Sequence, residues 1–377
     1  MDTAQLWLHF DTALLPDGWC NNARIGISGG RITAVERNAA AQSGDTHRGI
    51  GLPGMANLHS HAFQRGMAGL AEQRGAAQDS FWTWRETMYR FVERIGLDDF
   101  EAIAALAFVE MVEAGFTRVG EFHYLHNDID GRLYANPAEM ASRVAAAASM
   151  SGIALTLLPV FYAHGGFGGA QLQDRQKRFA NSPDSYARLL DASRAAVSGL
   201  ADAIVGIAPH SLRAVTPDEL RALVPLADDA PIHIHIAEQV REVEECLAWS
   251  GVRPVAWLLD HAAVDRRWCL VHATHMDAGE TQRLAASGSV AGLCPITEAN
   301  LGDGLFDAPA YMVAGGAIGI GTDSNVFIDM REELRVLEYG QRLRDRTRNV
   351  FASEGTPSVG RTLFDSALKG GAQALGG

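Results

Sequence analysis

From residue 51 onward, eight short apolar runs recur, several of them separated by longer stretches with apolar residues at three- and four-residue spacing. The runs are "GLPGMANLH" (51–59), "TRVGEFHYL" (117–125), "IALTLLPVFYAH" (153–164), "AIVGIAPHSL" (203–212), "PIHIHIAE" (231–238), "RWCLVHATH" (267–275), "SVAGLCPIT" (289–297) and "AIGIGTD" (317–323). The intervening segments include "LDDFEAIAALAFVEMVEAG" (97–115) and "SPDSYARLLDASRAAVSGL" (182–200), which read as amphipathic helices. Eight strand-then-helix units over roughly 250–300 residues are expected of an α/β chain folded as a TIM-type (β/α)8 barrel. An open doubly wound sheet also alternates, but it usually has fewer strands and binds at a Gly-rich first turn. No G-x-G-x-x-G or Walker-type loop follows the first run.

Residues 1–50 have a different texture. "QLWLHFDTALL", "ARIGISGG" and "RITAVERN" are short, partly alternating runs divided by Pro16-Asp17-Gly18 and Gly29-Gly30, and they read as a small antiparallel unit. The expected organisation is therefore a small β domain over 1–50 and a (β/α)8 barrel over 51–377. The Gly-rich polar segment "HGGFGGAQLQDRQKRF" (164–179) follows the third run and reads as a lid or a surface loop. The last segment, "SALKGGAQALGG", reads as a helix.

Charge and cysteine usage narrow the setting. The net charge of −13 argues against a nucleic-acid partner. The start of the chain has neither a basic n-region nor a long apolar stretch, so no membrane partner is expected. Cys20, Cys246, Cys269 and Cys294 are scattered without metal-type spacing, which suits a reducing cytoplasm.

In a (β/α)8 barrel, function collects where the strands end. Read to their ends, the runs give His59 and His61, then His123 and Tyr124, then His210 with Arg213 beyond it. The fifth gives His233, His235 and Glu238, the sixth His272 and His275, and the eighth Asp323. Residues i and i+2 of a strand share a side, so His59 and His61 can converge on one ion together with an imidazole of the fifth strand. A lone His-x-His is more often a hydrogen-bonded pair, but here it is matched by His235, His272 and Asp323. His233 and His235 lie on one side. His235 is nearer the strand end, and Ile-Ala-Glu follows it and sets Glu238 beside the metal. His235 is thus the expected ligand and His233 an interior histidine with a hydrogen-bond partner. His123, His126, His164 and His275 read as structural or rim residues. Three imidazoles and a carboxylate leave a position for a water on Zn2+ or Fe2+, and the cation's charge makes that water more acidic.

"LPGMANLHSHAFQR", "EFHYLH", "APHSLRAV", "HIHIAEQ", "LVHATH" and "GTDSN" together resemble the amidohydrolase superfamily, and within it the formimidoylglutamate deiminases of histidine degradation. The resemblance runs from about residue 5 to the last residue. It implies one zinc per chain held by His59, His61, His235 and Asp323, with Fe2+ as the other candidate ion. Glu238 and His272, with Asp323, would serve the chemistry, and Gln64, Arg85, Tyr124, His210 and Arg213 would contact the substrate. No lysine ends the fourth run, where binuclear relatives carry a bridging lysine, which favours a single metal. Family chains continue into strands that complete a β-sandwich with the N-terminal segment, so residues 1–50 are expected to be part of such a sandwich without its C-terminal strands. A homodimer is common among such barrels.

The implied reaction is hydrolytic deimination of a small anionic amidine, N-formimidoyl-L-glutamate, to N-formyl-L-glutamate and ammonia. Paired carboxylates on the substrate suit Arg85 and Arg213, since guanidinium binds carboxylate through two parallel hydrogen bonds. Two other readings compete. One is a nucleobase or nucleoside deaminase, for which Trp82 and Trp84 would supply stacking. The other is an inactive barrel acting as a binding protein.

Overall fold

A computed structural model describes residues 5–74 and 79–377. The chain divides into two compact units, Met1–Gly54 and Met55–Gly377.

The first unit is a four-stranded sheet of β1 (Leu6–Leu15), β2 (Gly18–Ser28), β3 (Arg31–Glu36) and β4 (Thr46–Gly51), in the order β3-β2-β1-β4. The β2–β3 hairpin turns on Gly29 and Gly30, at φ 57° and 76°; two consecutive left-handed residues are what a tight hairpin turn of matching twist requires. The sheet is not wholly antiparallel, because β4 pairs with β1 in parallel. Ala13, Leu15, Cys20 and Ala23 form its small core. Arg24, buried, ties Glu36 at 2.5 Å and Asp45 at 2.7 Å. The run read as one strand from residue 51 is thus two: Gly51 closes β4, and Leu-Pro-Gly separates it from the next strand.

The second unit contains the eight expected barrel strands. They are β5 (Met55–Ser60), β6 (Phe116–His123), β7 (Ala154–Phe161), the broken fourth strand β8 (Ile204–Val205) and β9 (Ala208–Pro209), β10 (Ile232–Ile236), β11 (Trp268–His272), β12 (Val290–Leu293) and β13 (Ala317–Ile320). All pair in parallel, as β5-β6-β7-β8 with β9 also on β7, and as β10-β11-β12-β13. Parallel bridges Ile207↔Ile232 and Ser60↔Asp323 join the two sheets, and the ring closes. The fourth strand breaks at Gly206, where a Cβ would stand 2.4 Å from the Pro231 carbonyl oxygen. The strands are buried and rich in Val, Ile and Leu, as expected where helices cover a parallel sheet.

The helix Val359–Ala374 packs against β5, β12 and β13, and its end joins Leu58, Cys269, Val271 and Val290 in one buried cluster. Gly370 makes the approach possible, since a Cβ there would lie 2.0 Å from the Ile318 carbonyl oxygen. The Ala374 carbonyl accepts from His233 Nε2 at 2.8 Å and that of Leu375 from Thr156 Oγ1 at 3.0 Å. His233 is thereby an interior histidine with its hydrogen bond made. Among the described residues no helix is long and apolar enough to cross a membrane.

Candidate metal centre and active site

Closure of the barrel between its first and eighth strands builds the site. Asp323 N–H donates to the His59 carbonyl at 2.9 Å and His61 N–H to that of Asp323 at 2.9 Å. Gly321 permits this, because a Cβ there would sit 2.7 Å from His59 O. Behind the ligands, Asn57 accepts from Thr322 N–H at 3.0 Å, and Asn325 Nδ2 donates to Ser60 Oγ and to the His61 carbonyl, each at 3.1 Å. Both asparagines are fully buried, so this polar seam fixes the register of the two strands.

Four donor atoms converge in front of the seam. His59 Nε2 lies 3.2 Å from His61 Nε2, 3.0 Å from His235 Nε2 and 3.4 Å from Asp323 Oδ1, and His61 Nε2 lies 3.2 Å from Asp323 Oδ1. Ligand atoms at Zn–N and Zn–O distances of ~2.0–2.1 Å on a tetrahedron stand about 3.3 Å apart. His61 Nδ1 donates to the Phe122 carbonyl at 2.9 Å and His235 Nδ1 to that of His210 at 3.1 Å, so both Nε2 atoms turn lone pairs inward. Burial holds the His59 imidazole down at about 3 and that of His235 well below its usual range. Burial opposes ionisation of Asp323, but the contacts from His59 and His61 outweigh it and keep the carboxyl well below the usual range. Neutral imidazoles and an ionised carboxylate, crowded lone pair to lone pair, fit a divalent cation.

Beside this cluster, His272 Nδ1 donates to Glu298 Oε1 at 3.2 Å, and Cys294 N–H donates to the same oxygen at 2.9 Å. His272 Nε2 then faces Glu238 at 3.8 Å and Asp323 at 4.0 Å. Burial works against its charge, yet Glu238, Glu298 and Asp323 together push it up to about 10. Glu238 is buried, and burial raises its carboxyl. Glu242 accepts from the backbone N–H of Ala237 at 3.2 Å and of Glu238 at 3.3 Å, pinning a turn in which Ala237 has φ 50°. His272, at φ 69°, and Asp323, at φ 46°, also occupy the left-handed region. Three barrel strands therefore leave the sheet through strained residues at the site.

One pocket opens over these groups. His61, His235, Asp323, Glu238, His272, Gln64, Arg85, Tyr124, His210 and Arg213 line it; His59 lies behind, fully buried. Gln64 Nε2 donates to Tyr124 Oη at 2.7 Å, and its Oε1 has no partner among the described residues. Arg213 reaches Glu242 only at 3.9 Å, and its buried Nη1 has no hydrogen-bond partner among the described residues. Arg85 Nε is likewise buried, with no hydrogen-bond partner among the described residues.

Apart from Trp84, raised for the deaminase alternative, and segment 164–179, read as a lid or a surface loop, sequence reasoning missed the rest of the wall. Phe81, Trp84, Met88 and Tyr89 join Arg85 along one side of the helix Phe81–Val92. Segment 164–179 also contributes, through Gly165 and Phe179. Its buried Gln176 donates to Tyr162 Oη at 2.8 Å and Tyr89 Oη at 3.4 Å. The repeat of Phe81, Trp84, Arg85, Met88 and Tyr89 at helical spacing marks one face of that helix but not what the face meets. His123 points elsewhere, packing on Phe100 and His126. His126 bonds the Val160 carbonyl, His275 that of Asp303, and His164 pairs with Glu219.

Residues 50–357 match the amidohydrolase family. The chain belongs to that family. Residues 6–49 match the N-terminal domain of the formimidoylglutamate deiminase HutF. This amidohydrolase is 54% identical over 97% of its length to a formimidoylglutamate deiminase of Pseudomonas aeruginosa, of which it covers 81%. The crystal structure of an amidohydrolase from Brucella melitensis superposes with a TM-score of 0.97 at 58% identity, over 98% of this chain and 83% of that one. A 5-methylthioadenosine/S-adenosylhomocysteine deaminase of Natronomonas pharaonis is 28% identical over 92% of this chain and 74% of its own. The family and its donor set make this a metal-dependent hydrolase.

Proposed function

We propose that this amidohydrolase hydrolyses N-formimidoyl-L-glutamate to N-formyl-L-glutamate and ammonia. The observation that carries the reading is the 54% identity, over 97% of the chain, to a relative of that name. The pocket gives it a chemical basis. Arg85 and Arg213 bring two guanidinium groups with free N–H donors to one cavity, as a dicarboxylate requires. Gln64, Tyr124 and His210 add neutral polar groups between them and the donor cluster.

His59, His61, His235 and Asp323 are the residues that would hold the ion, and Zn2+, one per chain, is the ion we propose; Fe2+ suits the same donors. Bound there, it would supply Lewis acidity, which makes water more acidic and the amidine carbon more electrophilic. Asp323 takes a proton from the attacking water, whose oxygen bonds to the formimidoyl carbon. His272, whose Nδ1 is tied to Glu298 so that Nε2 faces the site, orients that oxygen and stabilises the tetrahedral adduct. Glu238 contacts the terminal nitrogen and passes it a proton. The bond from carbon to that nitrogen then breaks and ammonia leaves with the proton held by Asp323; the hydroxyl proton still on the water oxygen returns to Glu238, and the carbon keeps that oxygen as a formyl group.

Ammonia release from N-formimidoyl-L-glutamate, measured against guanine, adenosine and cytosine, tests the reading. Turnover of the first with none of the others is expected. Preference for a nucleobase or nucleoside would replace the reading with the deaminase alternative, for which Trp84 is the aromatic residue at hand.

A further inference from the structure

The pocket arginines are held in different ways. Arg213 has Glu242 beside it. Arg85 has no carboxylate partner and no hydrogen bond among the described residues; what surrounds its guanidinium is aromatic. Its Cζ stands 4.4 Å from the centroid of the Trp82 ring and 5.8 Å from that of Tyr89. Trp82 lies three residues earlier on the same helix, a spacing that makes the two side chains neighbours. The Trp82 ring carries a second guanidinium, that of Arg241, also at 4.4 Å. Arg241 belongs to the helix Val240–Ser250, which begins two residues after Glu238, and its Nε donates to Glu245 at 2.6 Å.

We infer that Trp82 is a positioning residue for Arg85: its indole orients the guanidinium toward the pocket while leaving the N–H fork free for a substrate carboxylate. A carboxylate in that place would use up donors and neutralise the charge the substrate needs. A ring face attracts the cation through its quadrupole and takes no N–H. Ordering a long arginine before the ligand arrives also lowers the entropy cost of binding. Arg241, on the same ring, ties the indole to the helix that follows Glu238, so the carboxylate contact and the proton-transfer group share a frame. Trp82, which the deaminase alternative would use for stacking, then serves the dicarboxylate without lining the pocket itself.

The inference rests on Arg85 as a contact for a substrate carboxylate, and the test separates the two. Steady-state kinetics with N-formimidoyl-L-glutamate are measured on the metal-loaded enzyme and on Trp82→Phe, Trp82→Leu, Arg85→Met and the Trp82→Leu/Arg85→Met double variant. Trp82→Leu is expected to raise KM about tenfold with kcat within about twofold, the effect of losing one desolvated cation–π contact. Trp82→Phe, which keeps a ring face, should stay within about threefold of the parent KM. In the Arg85→Met background, Trp82→Leu should add less than about twofold. An unchanged KM in Trp82→Leu overturns the inference, as does an equal effect with and without Arg85, or a Phe variant no better than Leu. An Arg85→Met variant with the parent KM would remove the carboxylate contact itself, and the role of Trp82 with it. Metal content and circular dichroism verify folding; should the Leu variant fail there, Trp82→Met replaces it with the same expectations.

Discussion

Replacing Arg213 by methionine keeps the volume of the side-chain stem and removes the charge and the fork. Arg213 is only 12% exposed, its Nη1 has no partner among the described residues, and Glu242 stands too far away at 3.9 Å to use its donors fully. A substrate carboxylate there would receive two charge-assisted hydrogen bonds, each worth about 1.5–3 kcal/mol. Breaking a buried pair by removing one partner costs about 3–5 kcal/mol, which agrees with that sum. At about 1.4 kcal/mol per tenfold, kcat/KM should fall roughly 100- to 5,000-fold. Most of the loss should appear in KM, because the carboxylate is remote from the reacting carbon and is bound alike in ground and transition states. Glu242 keeps its bonds to the Ala237 and Glu238 N–H groups, so the turn below the site should survive. The assay is ammonia release over a range of substrate concentrations, with metal content measured on the same sample. Arg213→Lys, which keeps charge without the fork, should fall between parent and Met. A Met variant with KM within about fivefold of the parent would refute the assignment.

Glu238→Gln removes the proton-transfer group while leaving all four metal donors, so metal content should stay at the parent level and kcat should drop about 100- to 10,000-fold; parent-like turnover would remove Glu238 from the mechanism. Gly370→Ala places a methyl 2.0 Å from the Ile318 carbonyl oxygen, so the closing helix must shift. A loss of about 1–3 kcal/mol is expected, read as a lower denaturant midpoint at unchanged slope, and an unchanged midpoint would show that the helix is not packed so closely.

Much of the barrel is legible in the chain because each strand is buried on both faces and so writes itself as an apolar run. The strand-end residues are legible for a related reason: a His or Asp at the end of an otherwise apolar run stands out, and the barrel brings every such end to one face. What lies between strands is harder to read. The helix Phe81–Val92 has an ordinary amphipathic pattern, and nothing in its spacing says that its apolar side faces a ligand rather than the core. Gln176, Tyr89 and Tyr162 meet through contacts 14 and 87 residues apart, which no local pattern encodes. Glu242 and Glu298 follow their strands by a few residues and look like solvated helix charges, yet both are buried and accept backbone N–H bonds. The parallel β4 was missed because pairing direction depends on where the chain returns, and Gly51 merged with the following run.

The central claim is that His59, His61, His235 and Asp323 hold one ion that makes deimination possible. The direct measurement is a titration of metal-stripped enzyme with Zn2+, following ammonia release from N-formimidoyl-L-glutamate against metal bound per chain. Activity should rise from near zero in a straight line and break at one equivalent. Full activity without metal, a break well away from one equivalent, or no ammonia at saturating metal would contradict it.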